Sequence, residues 1–227
     1  MLRFNTKILE KKEIAEGIII LELTAPKEFT FEAGQYIQIR ALRETEEKWK
    51  AFSMVNPPSQ KGKLTLLIKL VEGGFASEFI RKISKGDTIE AKGPMGLFKF
   101  RQDSSDTVMI ATGTGIAPIY SILLENINKK ENSKRKFTLI YGAKAEGELA
   151  FKEELESLEK KHKNLTLISV LSRQEWKNKG HVQEYLPEKT ENKTFYICGL
   201  KEMVLETKQL LLKRGVKEED IKTERYN

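Results

Sequence analysis

Val108-Met109-Ile110-Ala111-Thr112-Gly113-Thr114-Gly115-Ile116-Ala117-Pro118 is an apolar strand that runs into a glycine-rich turn and then into a helix with proline near its first position. Residues without a Cβ let a ligand come close to the backbone, and a helix N-terminus offers unpaired N–H groups and a positive dipole end to a pyrophosphate. The turn therefore suits a dinucleotide, with Thr112, Gly113, Thr114, Gly115 and Pro118 as candidate binding residues. It is not the Gly-x-Gly-x-x-Gly fingerprint, because Pro118 stands where the third glycine would be. Taken alone, the segment reads equally as a tight strand-to-helix connection.

Downstream of this turn the strand, turn, helix rhythm continues. It gives Phe137–Tyr141 then Phe151–Lys161, Leu165–Leu171 then Val182–Leu186, Phe195–Cys198 then Glu202–Lys213, with Ile221–Glu224 last. The helix from Glu202 puts Met203, Val204, Thr207, Leu210 and Leu211 on one face, as packing on a sheet requires. Such crossovers predict parallel strands. Upstream, short alternating or β-branched runs separated by turn-formers cover Gly17–Thr24, Gln35–Ala41, Ala51–Val55, Lys63–Val71 and Thr88–Ala91, with one helical stretch at Ser77–Lys82. That pattern predicts antiparallel β at the spacing of a small barrel or sandwich. The polar stretch Arg101-Gln102-Asp103-Ser104-Ser105-Asp106 separates the two rhythms, so the expected domains are 1–102 and 103–227.

Composition narrows the chemistry. The chain has 227 residues, 39% hydrophobic and 32% charged, with length for two cores and too much apolar material for disorder. One larger domain is the alternative. No apolar run approaches a membrane span, and the start, Met1-Leu2-Arg3-Phe4-Asn5-Thr6-Lys7, lacks the apolar core of a signal peptide, so a cytoplasmic location is expected. The single cysteine, Cys198, cannot pair within the chain or by itself build an iron–sulfur or zinc site, and no metal is expected. A net charge of +7, with lysines interleaved among glutamates, argues against a nucleic-acid stripe and for an acidic protein partner.

At this point nearly the whole chain resembles the ferredoxin-NADP reductase superfamily, which includes flavin reductases and reductase components of oxygenases. Lys50-Ala51-Phe52-Ser53 resembles the family's Arg-x-Tyr-Ser, whose basic residue binds a flavin phosphate, whose ring lies against the isoalloxazine and whose Ser sits near the reactive ring nitrogen. Here Lys50 keeps the charge without the planar fork, and Phe52 keeps the ring without the hydroxyl. Gly74-Phe75-Ala76-Ser77-Glu78-Phe79-Ile80 is similar to the segment that receives the flavin pyrophosphate at a helix N-terminus, although Ser77 is equally a natural N-cap. Gly93-Pro94-Met95-Gly96-Leu97-Phe98 resembles the turn that closes the flavin domain.

In the second half, Tyr141-Gly142-Ala143-Lys144 with Glu148-Leu149-Ala150-Phe151 resembles Tyr-Gly-x-Arg followed by Asp-Leu-x-Phe, again with Lys for Arg. Ser172-Arg173 resembles the pair that contacts the 2′-phosphate in NADP-using relatives; a plain surface arginine would look the same. Tyr196-Ile197-Cys198-Gly199 with Met203 matches the family's Tyr-x-Cys-Gly-x-x-x-Met, whose Cys lies beside the nicotinamide, whereas a lone cysteine at a strand end is otherwise a buried small hydrophobe. Thr223-Glu224-Arg225-Tyr226-Asn227 resembles a terminus whose aromatic residue shields the flavin; Tyr226 is alternatively a loose tail residue.

The resemblance implies a flavin-binding antiparallel barrel followed by a nicotinamide-binding α/β sheet, with the cofactors meeting between them. It implies FAD, with FMN less favoured, and NAD(P)H as substrate with a lean to NADPH that Lys177 and Lys179 reinforce. Hydride would pass from nicotinamide to flavin beside Ser53 and Cys198, and electrons would go on to a separate ferredoxin, flavodoxin or oxygenase component. The alternatives are a reductase of free flavin or small acceptors, and a flavin relay subunit of a larger redox complex.

Overall fold

The computed structural model describes residues 1–103 and 105–226; Ser104 and Asn227, which belong to the polar stretch and the terminal motif quoted above, lie outside the described residues. The backbone divides into two compact units, Met1–Phe100 with Tyr120–Glu125, and Arg101–Ile119 with the residues from Asn126 onward.

In the first unit, β1 (Leu2–Ala15), β2 (Ile18–Thr24), β3 (Tyr36–Arg43), β4 (Glu46–Ser53), β5 (Lys63–Lys69) and β6 (Thr88–Met95) form one antiparallel sheet in the order β4-β3-β6-β1-β2-β5. Period-2 alternation places Ile37 and Ile39 of β3 with Leu21 and Leu23 of β2 in a common core. Past the end of β4, Met54 bridges to Leu66, so the two outermost strands meet and the sheet curls toward closure. Strand β1 serves two neighbours. Leu2–Lys7 pairs with β6, and from Ile8 onward, through two irregularities, it pairs with β2.

The helix of this unit, α1 (Phe75–Lys82), buries Phe79 and Ile80 in the same core. Its C-terminal carbonyls are held by one lysine: Lys11 Nζ donates to the carbonyls of Ile80, Arg81 and Ile83 at 3.2, 3.2 and 2.5 Å. A cation there complements the negative end of the helix.

In the second unit, β7 (Asp106–Thr112), β8 (Phe137–Ala143), β9 (Leu165–Leu171), β10 (Lys193–Leu200) and β11 (Ile221–Tyr226) form a parallel sheet in the order β11-β10-β7-β8-β9. The helices that follow are α2 (Ile116–Asn126), of which Tyr120–Glu125 count with the first unit, α3 (Lys152–Lys161) and α4 (Lys201–Lys213). Helix α4 buries Val204, Thr207 and Leu211, three of whose positions repeat the 3–4 spacing read from the sequence. Val182–Tyr185, expected as helix through Leu186, is a single 3-10 turn.

A buried ion network fastens the N-terminal edge of this sheet. The Arg135 side chain is only 3% exposed, yet it reaches the Asp103 carboxylate at 3.2 Å, the Asp103 carbonyl and Thr107 Oγ1 at 3.1 Å. Arg101 pairs with Asp103 and, at 2.7 Å, with Asp220. Burial acts to raise the Asp103 carboxyl, but hydrogen bonds from Ser105 and the ion pair with Arg101 outweigh it and hold the group below the ordinary aspartate range. Among the described residues no helix is long and apolar enough to cross a membrane.

Candidate cofactor-binding site

In the first unit the candidate residues gather where β4 approaches the start of α1. Ser53 is buried, Phe52 is half-buried against the core, Lys50 is half-buried and Ala51 points to the other, exposed face. Phe75 is the meeting point. Lys48 Nζ and Arg43 Cζ each lie 4.7 Å from its ring centroid, and Lys50 Nζ lies 6.0 Å from it. Arg43 and Lys48 carry no sequence motif; Lys48 lies two residues before Lys50 on β4, and the pairing of β3 with β4 brings Arg43 to both.

Helix α1 starts earlier than its sequence pattern predicts. Gly74 is the N-cap, with no side-chain cap, and Phe75 and Ala76 form the first turn with Ser77. Ser77 is therefore not the N-cap: its Oγ accepts the Val71 N–H at 2.8 Å and ties down the loop ahead of the helix. No side-chain cap bonds the first-turn amides, as suits a helix start that receives an anion.

In the second unit every candidate residue lies at or just past the C-terminal end of a parallel strand. Gly113–Gly115 is one 3-10 turn after β7, and Pro118 is the third residue of α2, where a missing N–H leaves no helix hydrogen bond unmade. The two glycines divide the work. At Gly113, with φ at +54°, an added Cβ would meet nothing within 4 Å, so this face of the turn is open. At Gly115 an added Cβ would fall 2.3 Å from the Cys198 carbonyl oxygen, so its bareness serves close packing of the Gly113–Gly115 turn against the end of β10.

The reverse contact uses Gly199, where an added Cβ would fall 2.2 Å from Thr112 Oγ1. That hydroxyl is buried and has no hydrogen-bond partner. Thr114, next along, is half-buried. Tyr141, known from the sequence only as a motif residue, supports the turn from below: its hydroxyl donates to the Gly113 carbonyl at 3.3 Å and accepts the Ala150 N–H at 3.2 Å. Burial pushes its phenol well above the usual tyrosine value, so it stays a donor.

Beyond β8 and β9 the chain brings two cations together. The Arg173 N–H donates to the Lys144 carbonyl at 2.9 Å and the Ser172 N–H to the Ala143 carbonyl at 3.1 Å, with both Arg173 and Lys144 side chains exposed. Cys198 is fully buried in β10. Burial first, and the nearby Glu224 carboxylate second, push its thiol well above the usual value, against a hydrogen bond to Tyr226. It is a neutral thiol, unsuited to nucleophilic attack. Tyr226 is part of β11, in register with Leu200, and is not a loose tail.

Two family descriptions match the chain: "Oxidoreductase FAD-binding domain" over residues 5–100 and "Oxidoreductase NAD-binding domain" over residues 109–209. The chain is 29% identical over 215 residues to ferredoxin--NADP reductase B of Sorangium cellulosum (strain So ce56), covering 88% of this chain and 87% of that protein. It is 32% identical over 217 residues to the reductase component of phenol 2-monooxygenase of Pseudomonas sp. (strain CF600), covering 91% of this chain but only 60% of that longer protein. Among solved structures, a ferredoxin NADP+ reductase from Neisseria gonorrhoeae with bound FAD and NADP superimposes with a TM-score of 0.87 at 26% identity, covering 98% of each chain.

Proposed function

The chain belongs to the ferredoxin-NADP reductase superfamily and is an NAD(P)H-dependent flavoprotein reductase, and from that premise we propose which residues do the work and where the electrons go. Residues 1–102 hold FAD and residues 103–227 receive NADPH. Electrons leave to a separate acidic redox protein of the ferredoxin, flavodoxin or oxygenase-component kind, in a cytoplasmic setting. The observation that carries this reading is the gathering of Gly113, Lys144, Arg173, Cys198 and Tyr226 at the C-terminal ends of parallel strands, where open α/β sheets bind nucleotides.

The residues present fit both nucleotides. Lys50 and the first turn of α1, from Phe75 through Ala76 to Ser77, neutralise flavin phosphate, while Phe52 supplies the flat apolar contact for the ring system and Ser53 the nearby hydroxyl. When bound, the flavin supplies the chemistry of taking a hydride and releasing electrons singly. The open face at Gly113 admits the pyrophosphate of the nicotinamide dinucleotide, with the Thr112 and Thr114 hydroxyls beside it. Cys198 and Gly199 form a neutral, close-packed wall for the nicotinamide ring, and no residue is assigned as a general acid or base. Arg173 and Ser172, with Lys144 alongside, meet the 2′-phosphate.

Purified protein that retains yellow flavin, titrated anaerobically with each nicotinamide, tests the reading. Bleaching by NADPH is expected, followed by reoxidation with an acidic ferredoxin or flavodoxin. Flavin that stays yellow with both nicotinamides overturns the reductase assignment in favour of a relay. Arg173→Ala is expected to lower kcat/KM for NADPH about tenfold or more with NADH use little changed; equal losses remove the 2′-phosphate contact.

A further inference from the structure

One face of β4 carries an unusual set of residues. Phe52, Lys50 and Lys48 lie two apart and so share one face of the strand. Their partners on β3 are Ile37, Ile39 and Ala41, all at most 1% exposed, and along β4 this face opens from half-buried Phe52 and Lys50 to an exposed Lys48. The two lysines point the same way along the strand. They end beside the Phe75 ring together with Arg43, the last residue of β3. Three cations around one ring repel one another. The acids that face them are Glu46, 3.3 Å from Lys48 and 3.8 Å from Arg43, and Glu78, 3.6 Å from Arg43, long and solvent-washed pairs of small worth.

Spacing gives the cluster a direction. At roughly 3.3 Å per residue, Lys50 stands about 6.6 Å along the strand from Phe52, and Lys48 about 6.6 Å further. A flavin whose ring system rests on Phe52 brings its first phosphate to Lys50. Only a flavin with a second phosphate and a further nucleoside extends to Lys48 and Arg43, where the Phe75 face is also at hand. On the reading of this unit as the flavin site, we infer that Arg43 and Lys48, with Phe75, form a second anion subsite for the adenylate half of the flavin dinucleotide and set the preference for FAD over FMN. A different cause for charges on a terminal strand is protection of the edge against pairing with other chains, which requires no ligand.

The full chain, freed of flavin, is titrated with FAD, FMN and riboflavin by fluorescence, with ADP as a competitor. The expected result is an FAD preference in the unmodified chain that shrinks about tenfold for each cation lost in Arg43→Ala and Lys48→Ala. FMN and riboflavin affinities hold, Lys48→Arg restores most of the preference, and ADP displaces FAD from the unmodified chain far better than from the double variant. Far-UV circular dichroism and an unchanged FMN affinity show that the variants are folded. An FAD-to-FMN ratio unchanged in the double variant, or an equal loss for both flavins, overturns this subsite alone. Failure of the unmodified chain to bind any of the three flavins overturns the flavin reading as well.

Discussion

On β4 the candidate ligand groups are long side chains, Lys48 and Lys50, set two residues apart on a terminal strand, whereas after β7 and β10 they are bare backbone, Gly113 to Gly115 against Cys198 and Gly199. The first arrangement recognises by charge on flexible stems, so single losses are graded. The second recognises by the closeness of main chains, so a single added carbon is felt by the whole turn. The contrast follows from topology: an antiparallel strand offers alternate side chains to one face, while parallel strands that end together offer loops.

The sharpest way to break this contrast is Gly115→Ala. The new Cβ would lie 2.3 Å from the Cys198 oxygen and 2.7 Å from the Gly199 Cα, backbone atoms that cannot swing aside. A loss of about 3 kcal/mol is expected from denaturant unfolding. Gly113→Ala, with open space around the new carbon, is expected to cost about 1 kcal/mol for its left-handed backbone. Equal costs would erase the distinction between a turn packed on protein and a turn open to ligand.

Tyr141→Phe comes next. It strips the Gly113 carbonyl and the Ala150 N–H of a shared buried partner, at about 2 kcal/mol. Nicotinamide affinity is expected to fall while flavin affinity holds; a loss confined to stability would mean the hydroxyl does not position the turn.

Much of this architecture was legible in the sequence, because alternation and the strand-helix rhythm are local. Leu165–Leu171 matches its expected bounds, and the remaining strands of the second unit differ by a few residues at their ends. Two strands of the first unit were hidden. Strand β1 was unmarked because Glu10-Lys11-Lys12-Glu13 breaks the alternation just past the point where the strand changes partners, and β4 was expected at Ala51–Val55 because Glu46–Lys50 is largely charged, as a terminal strand can be. The candidate site was legible only where motifs are contiguous. No local signal joins Arg43 and Lys48 to Phe75, or Tyr141 to a carbonyl 28 residues away, and two glycines of the same turn look alike until their neighbours are known.

Smaller effects sharpen the charge side of the contrast. Lys50→Ala is expected to weaken flavin binding about tenfold while leaving the flavin-free protein within about 0.5 kcal/mol of its original stability, since the lysine is only half-buried. A matching loss of unliganded stability would make Lys50 a packing residue. The Asp103 network gives a pH test of a charge that serves the fold. Its carboxyl is depressed in the folded protein, so its contribution is present above the ordinary aspartate value near 3.8 and is lost as pH falls through the lower folded value. Unfolding free energy measured from pH 5 downward is expected to fall less steeply in Asp103→Asn than in the unmodified chain.

Cys198 offers a last consequence. It is fully buried on β10, between β7 and β11, with its thiol raised well above the usual value and bonded to Tyr226, and it is the chain's sole thiol. An alkylating reagent reaches it only when the packing around this part of β10 opens, so the speed of modification times that local opening. The protein thus carries its own single-site probe for how often the packing around that thiol opens.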